Sequence, residues 1–259
     1  MSPPGVGPWL RRFHRAPGAG TRLVCLPHAG GSATAYFALS AALSPRVEVL
    51  AAQYPGRPGH PDTGDAESID ELADRITTAT LAHADSPIAL FGHSMGATLA
   101  FEVARRLEAQ GVPPVALFAS GRRAPSVHRP GSVHLYNDEE LLAELKEVGG
   151  PDTGPPVDEE VLRAFLPAIR RDYRAIETYT YRPGPGLRCP IVALTGDRDP
   201  RVGVDDMRSW RSHTTAAFDL AVFPGGHFYL VEQVEAVARA IRGGPAQQLR
   251  GVVATGDVG

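Results

Sequence analysis

The chain has 259 residues, 43% of them hydrophobic and 21% charged, with a formal net charge of -3. That is ordinary globular usage, with enough apolar side chains for a sizeable core and no global basic field that would argue for nucleic acid. Length alone allows one large α/β domain or two small ones.

Residues 1–20 carry four prolines and no apolar run of signal-peptide length, and read as a flexible N-terminal arm. Short apolar runs then alternate with helical periods, the signature of a mostly parallel sheet with crossover helices. Thr21 to Leu26 and Val47 to Ala52 are predicted strands, the second ending before Tyr54-Pro55-Gly56. Ser68 to Ala84 is a predicted helix: Ser68 and Glu71 form a capping box, and Ile69, Leu72, Ala73, Ile76 and Thr80 share one face. Pro87 to Phe91 is a short buried strand, and Ala97 to Gln110 a helix that Gly111 stops. Val115 to Ala119, Ile191 to Thr195 and Phe218 to Phe223 complete the strands, and Val231 to Ile241 is a closing helix. Residues 243–259 lack a sustained apolar period and read as a flexible tail.

Residues 122–186 break the alternation, with helical patterns at Asp138 to Val148 and Asp158 to Tyr179 and no convincing strand. The expectation is a helical lid inserted into an α/β core made of 21–121 and 187–242, capping the edge where open α/β sheets bind ligands. No apolar stretch approaches the ~20 residues of a membrane span, so a cytoplasmic protein is expected. Cys25 and Cys189, each beside apolar residues at a strand end, read as reduced core thiols.

Gly92-His93-Ser94-Met95-Gly96 fits G-x-S-x-G, with an apolar run before it and a helical period after it. That context is what a nucleophile elbow requires, because a sharp strand-to-helix turn lifts the Ser94 oxygen out of the sheet at a helix start. Gly92-His93-Ser94-Met95 also resembles a phosphopantetheine attachment site, but those sites belong to small helical bundles and here a strand precedes the motif. A serine needs an adjacent base, and in this arrangement the order is Ser, acid, His. His227, in Pro224-Gly225-Gly226-His227-Phe228 after the last strand, takes the base position. Of the other histidines, His14 and His60 sit in Pro/Gly-rich loops, His93 lies inside the elbow, and His83, His128, His134 and His213 read as surface residues. The loop Gly196-Asp197-Arg198-Asp199-Pro200 offers two acids; Asp199 is preferred because the third position after the glycine points back toward the histidine loop, with Asp197 the alternative turn former. Leu26-Pro27-His28-Ala29-Gly30-Gly31 resembles a His-Gly-Gly oxyanion loop, so the backbone N–H groups of Ala29 and Met95 are the expected oxyanion donors.

Together these motifs resemble the stand-alone type II thioesterases that edit for polyketide and nonribosomal peptide synthases. The resemblance runs from about Thr21 to Arg242. It is carried by Leu26-Pro-His-Ala-Gly-Gly, Gln53-Tyr-Pro-Gly-Arg57, Phe91-Gly-His-Ser-Met-Gly96, the Gly196-Asp-Arg-Asp-Pro loop and Phe223-Pro-Gly-Gly-His-Phe228, with Asp172-Tyr173-Arg174, Glu177 and Tyr179 also similar. His60 departs from the family, which often has arginine there, so no charge role is carried to that position. The resemblance implies an α/β-hydrolase fold and hydrolysis of acyl groups from the phosphopantetheine thioester of acyl or peptidyl carrier proteins. No metal or other cofactor is required for that chemistry, and with no basic field and no membrane-length apolar run neither nucleic acid nor membrane is an expected partner. A carboxylesterase or lipase on the same fold and a non-catalytic carrier-binding module are the rival readings. The pairs Arg122-Arg123 and Arg170-Arg171 are the basic spots where an acidic carrier could dock.

Overall fold

A computed structural model of the chain describes residues 7–57, 59–60, 67–127, 129–149 and 159–243. Seven strands form one sheet: β1 (Leu10–Arg11), β2 (Arg22–Leu26), β3 (Glu48–Ala52), β4 (Ile88–His93), β5 (Ala116–Ser120), β6 (Ile191–Gly196) and β7 (Phe218–Phe223), in the order β1-β3-β2-β4-β5-β6-β7. All neighbours are parallel except β1, which pairs antiparallel with β3 through Leu10–Ala52 and Arg11–Ala51. The central strands read as unbroken apolar runs because helices cover both faces, so no alternation is needed. On the β7 edge that cover is incomplete, and its residues are mostly half-buried or exposed.

The helices are α1 (Phe37–Leu43), α2 (Ile69–Leu81), α3 (Met95–Ala109), α4 (Asp138–Gly149), α5 (Glu159–Glu177), α6 (Val204–Arg208), α7 (Tyr229–Glu232) and α8 (Val234–Gly243). Helix α2 starts at the expected capping box: the Ser68 hydroxyl accepts from Glu71 N–H while Glu71 accepts from Ser68 N–H. Its buried Ile69, Leu72 and Ile76 join Leu99, Val103 and Leu107 of α3 on one face of the sheet. Leu39 and Leu43 of α1 meet Val237 and Ile241 of α8 on the other face. A third, smaller cluster of Val133, Leu141, Leu142, Leu166 and Ile169 holds α4 and α5 together. Among the described residues of 122–186 there are helices and no strand, as the sequence pattern predicted. No helix among the described residues is long and apolar enough to cross a membrane. Cys25 and Cys189 are buried free thiols.

Some expectations are corrected. The arm is not loose from residue 7 onward: Leu10 and Ala16 are buried, and β1 closes the edge of β3. A two-residue strand needs only a partner's free edge, which composition does not reveal. The closing helix is two helices, α7 and α8, with a turn at Gln233, whose N–H bonds Tyr229 O and whose carbonyl accepts Val237 N–H. Helices α1 and α6 have no expected counterpart, since seven and five residues are too short for a clear period. The expected tail beyond Gly243, the first six residues of the arm, His128 and the helix start at Asp158 lie outside the described residues.

Candidate active site

The sheet brings the chemistry-bearing loops to its carboxyl edge. Strand β4 lies between β2 and β5, so the elbow after β4 is flanked by the Pro27–Gly31 loop and by Gly121-Arg122. The loops after β6 and β7 follow along the same edge.

At the elbow, Ser94 has φ 55° and ψ -119°, and it is the one non-glycine with positive φ among the described residues. Such a conformation is costly unless its surroundings impose it. They do so here. Ser94 N–H donates to Ser120 O at 2.8 Å, and Ala97 N–H returns to Ser94 O at 2.9 Å. A Cβ at Gly92 would fall 2.0 Å from Gly96 O, and one at Gly96 would fall 2.0 Å from Leu26 O. Both glycines are therefore demanded by close backbone approach. Because the turn is so tight, α3 begins at Met95, two residues before the sequence pattern placed it.

His227 follows β7 and its side chain is 4% exposed; its Nδ1 is 2.9 Å from Asp199 Oδ2, on a side chain that is fully buried. The other oxygen of Asp199 accepts from Arg201 N–H at 2.8 Å. Asp197 does different work: its half-exposed carboxylate accepts from Gly225 N–H at 2.9 Å and so braces the histidine loop. Of the two acids the sequence left open, Asp199 is the one bonded to His227. Gly225, at φ 132°, supplies the bend in that loop, while a Cβ at Gly226 would meet nothing within 4 Å.

Around His227 lie two further imidazoles, whose burial opposes protonation. The His93 ring is 4.9 Å from His227, with Nδ1 2.9 Å from Ser120 Oγ; that hydroxyl in turn is 2.7 Å from Tyr229 OH. Burial pushes His93 well below the ordinary histidine value, with His227 and His28 adding to the effect. His28, packed edge-on against Phe228 at 4.7 Å, is pushed down to about 3, first by burial and then by His227 and Arg57. Both rings resist carrying charge beside His227.

Ser94, His227, His28, Ala29 and Met95 line one cavity of about 400 Å³, whose opposite wall comes from the helical segment, including Tyr136, Tyr173, Ile176 and Glu177. Asp199 stands behind His227. The five residues expected from the sequence are thus brought to one place. Among the described residues no three His, Cys, Asp or Glu side chains gather as a metal-binding set.

Other residues depart from the reading of the sequence. Arg122 is a wall of the cavity, not a surface spot: burial and the neighbouring Arg123 lower its pKa to about 10, and its carbonyl accepts from Trp210 Nε1 at 2.7 Å. Arg170 donates to Tyr136 O and to Asp138 Oδ1 (2.7 Å), tying α5 to the start of α4. His83 and His213 are buried; His213 Nε2 is 2.8 Å from Ser126 Oγ. His60 is also buried, edge-on to Trp9 at 4.7 Å. Sequence reading missed Ser120 and Tyr229 as partners of the elbow, and it gave no role to Arg57 or Asp172.

Residues 21–243 match the model of the thioesterase domain family. Thioesterase PikA5 of Streptomyces venezuelae is 48% identical over 229 residues, spanning 88% of this chain and 82% of the relative. Thioesterase TesA of Mycobacterium marinum is 40% identical over 228 residues, spanning 87% of this chain and 91% of the relative. Among solved structures, the type II thioesterase BorB from the borrelidin biosynthetic cluster superposes with a TM-score of 0.87 at 51% identity, covering 95% of this chain and 99% of BorB. With an elbow serine, a buried His–Asp pair and this likeness along nearly its whole described length, the chain belongs to the thioesterase family, on an α/β-hydrolase fold.

Proposed function

We propose that the chain is a type II thioesterase that hydrolyses acyl groups from the phosphopantetheine thioester of acyl or peptidyl carrier proteins. The observation that carries the reading is the His227–Asp199 hydrogen bond at the rim of the cavity into which the strained Ser94 elbow opens. The names of the relatives support the substrate class: BorB is described as a type II thioesterase from the borrelidin biosynthetic cluster and YbtT as one from the yersiniabactin NRPS/PKS biosynthetic pathway. The reading carries with it a cytoplasmic location, where carrier-bound intermediates are made.

In this mechanism Ser94 Oγ attacks the thioester carbonyl while His227 Nε2 takes its proton. Asp199 accepts from Nδ1–H, which fixes the tautomer and steadies the imidazolium. The N–H groups of Ala29 and Met95 receive the carbonyl oxygen as it gains charge. The carbon–sulfur bond then breaks and the departing sulfur takes the proton from His227, leaving the imidazole neutral; a thiol of pKa ~8.5 needs less of this help than an alkoxide would. His227 next draws a proton from water, the hydroxide adds to acyl-Ser94, and the carboxylic acid departs as the serine is reprotonated. Neutral His28 and His93 leave His227 as the base of the site.

The test compares an acyl-pantetheine thioester with its oxygen ester, alongside a serine-directed fluorophosphonate. The reading expects faster thioester turnover and labelling that is lost in Ser94→Ala. Preference for the oxygen ester would make the protein a carboxylesterase, and failure to label would make it a binding module.

A further inference from the structure

The motif Gln53-Tyr-Pro-Gly-Arg57 and the helix residue Asp172 take no part in the chemistry above, yet they converge on the loop that carries Ala29. Asp172 Oδ2 accepts from Gly30 N–H at 2.8 Å and from Arg57 Nη2. Both side chains are almost fully buried, at 5% and 4% exposure. The rest of the Arg57 guanidinium is spent on the same region: Nε donates to Gly31 O at 3.2 Å and Nη1 to Pro55 O at 3.0 Å. Tyr54 OH donates to Pro27 O at 2.9 Å, and Ala33 N–H donates to Gln53 Oε1 at 2.8 Å. The loop is therefore pinned at Pro27, Gly30, Gly31 and Ala33, on both sides of Ala29. Helix α5 also presses on it directly: a Cβ at Gly30, which has φ 80°, would lie 3.1 Å from Ile169.

We propose that Arg57 and Asp172 are positioning residues of the reaction: their buried ion pair holds Gly30 and Gly31 so that Ala29 N–H points into the oxyanion hole, and α5 thereby becomes part of that hole. The inference rests on the proposed serine-hydrolase mechanism. Asp172 reaches the loop from the helical insertion, while Arg57 reaches it from the core. Withdrawing α5 removes the acceptor of Gly30 N–H and strands a buried guanidinium without its counter-charge. Such a state is disfavoured, because removing one partner of a buried pair leaves the other unsolvated. Segment α5 is accordingly a fixed post in the competent enzyme.

The test measures kcat and KM on a short acyl-pantetheine thioester and on an aryl acetate, for wild type, Asp172→Ala, Arg57→Ala, Asp172→Asn and Arg57→Lys. A second readout is inhibition by an alkyl trifluoromethyl ketone, whose carbonyl is attacked by Ser94 Oγ to leave a tetrahedral oxyanion while the serine proton passes to His227. A donor misplaced by about 1 Å costs on the order of 10²-fold in rate. The alanine variants should lose about 10 to 10²-fold in kcat with KM within about threefold of wild type. Ketone affinity should fall by the same factor as kcat/KM, since the ketone reports the oxyanion and not the ground state. Asp172→Asn keeps an acceptor for Gly30 but removes the counter-charge of Arg57, so it should recover only part of the loss and still fall clearly below wild type. Folded variants with unchanged kcat, or a raised KM with unchanged ketone affinity, would overturn the proposal. Should the alanine variants fail to fold, the same comparison on Asp172→Asn and Arg57→Lys decides. Wild type that cleaves the aryl acetate but not the thioester would refute the substrate reading alone, and the aryl ester and ketone would still test the positioning role.

Discussion

Replacing Gly96 by alanine places a carbon 2.0 Å from Leu26 O and 2.7 Å from Pro27 O, where real contacts essentially never close below 3.0 Å. About 1 Å must therefore be found, and both partners are backbone, so no flexible side chain can yield. Leu26 O is itself fixed by the Tyr36 hydroxyl at 2.6 Å and Pro27 O by Tyr54 at 2.9 Å. The displacement falls on the elbow and on the loop that leads to Ala29, the two proposed sources of the oxyanion donors. A misplacement of that size costs about 10²-fold in rate, or about 2.7 kcal/mol of transition-state stabilisation. Overpacking of this kind also removes about 2 kcal/mol of stability, which lowers Tm by about 4–8 °C in a chain of this size. Steady-state turnover of a short acyl-pantetheine with parallel thermal melts measures both. Gly226→Ala is the control: it adjoins His227, yet its new Cβ meets nothing within 4 Å, and it should keep kcat within about threefold. A Gly96→Ala enzyme with near-normal kcat, or a Gly226→Ala enzyme as damaged as Gly96→Ala, would refute the steric reasoning.

Asp199→Asn should lower kcat by about 10⁴-fold, because the tautomer of His227 is lost, whereas Asp197→Asn, which keeps an acceptor for Gly225 N–H, should stay within about tenfold; equal losses would contradict the assignment of the acid. Cys25 and Cys189 are buried, and burial pushes the Cys189 thiol up to about 12, with Glu108 adding to it. A disulfide-exchange reagent should therefore read no thiol in the native protein and both in denaturant; rapid native reaction would count against the core packing. His28 and His93 have folded-state pKa values below the 6.5 of the free side chain, so between about 6.5 and 3 the unfolded chain binds protons that the folded chain refuses. Their contribution is full above about pH 6.5 and is lost on acidification. Urea midpoints should accordingly be lower at about pH 5 than at about pH 7.5, and a midpoint that rises on acidification would contradict it.

The elbow was legible because everything it needs is local: an apolar run, two glycines two residues either side of Ser94, and a helical period. His227 was legible for the same reason. Asp199 required an argument about loop offset, which the hydrogen bond to Nδ1 supports in three dimensions. The Arg57–Asp172 pair joins residues 115 apart, and no local pattern couples them. Motif resemblance did flag both segments, but it gave neither a partner. Burial of His83 and His213 was misjudged because a lone histidine carries no period of its own, while the packing that covers it comes from other elements. Arg122 was read as surface for a related reason: an arginine pair looks solvated until the helical segment is placed over it. Strand β1 and helix α1 were missed because two and seven residues are stabilised by what they dock against, not by their own sequence.

Ser94, with His227 and Asp199, is proposed to release acyl groups from carrier-bound phosphopantetheine. Single-turnover release of acetyl and longer acyl groups from a phosphopantetheinylated carrier protein, by wild type and by Ser94→Ala, tests it most directly. The wild type should release the acyl group, and the variant none above background. Release that persists in Ser94→Ala, or a wild type that leaves the carrier acylated while cleaving small aryl esters, would contradict it.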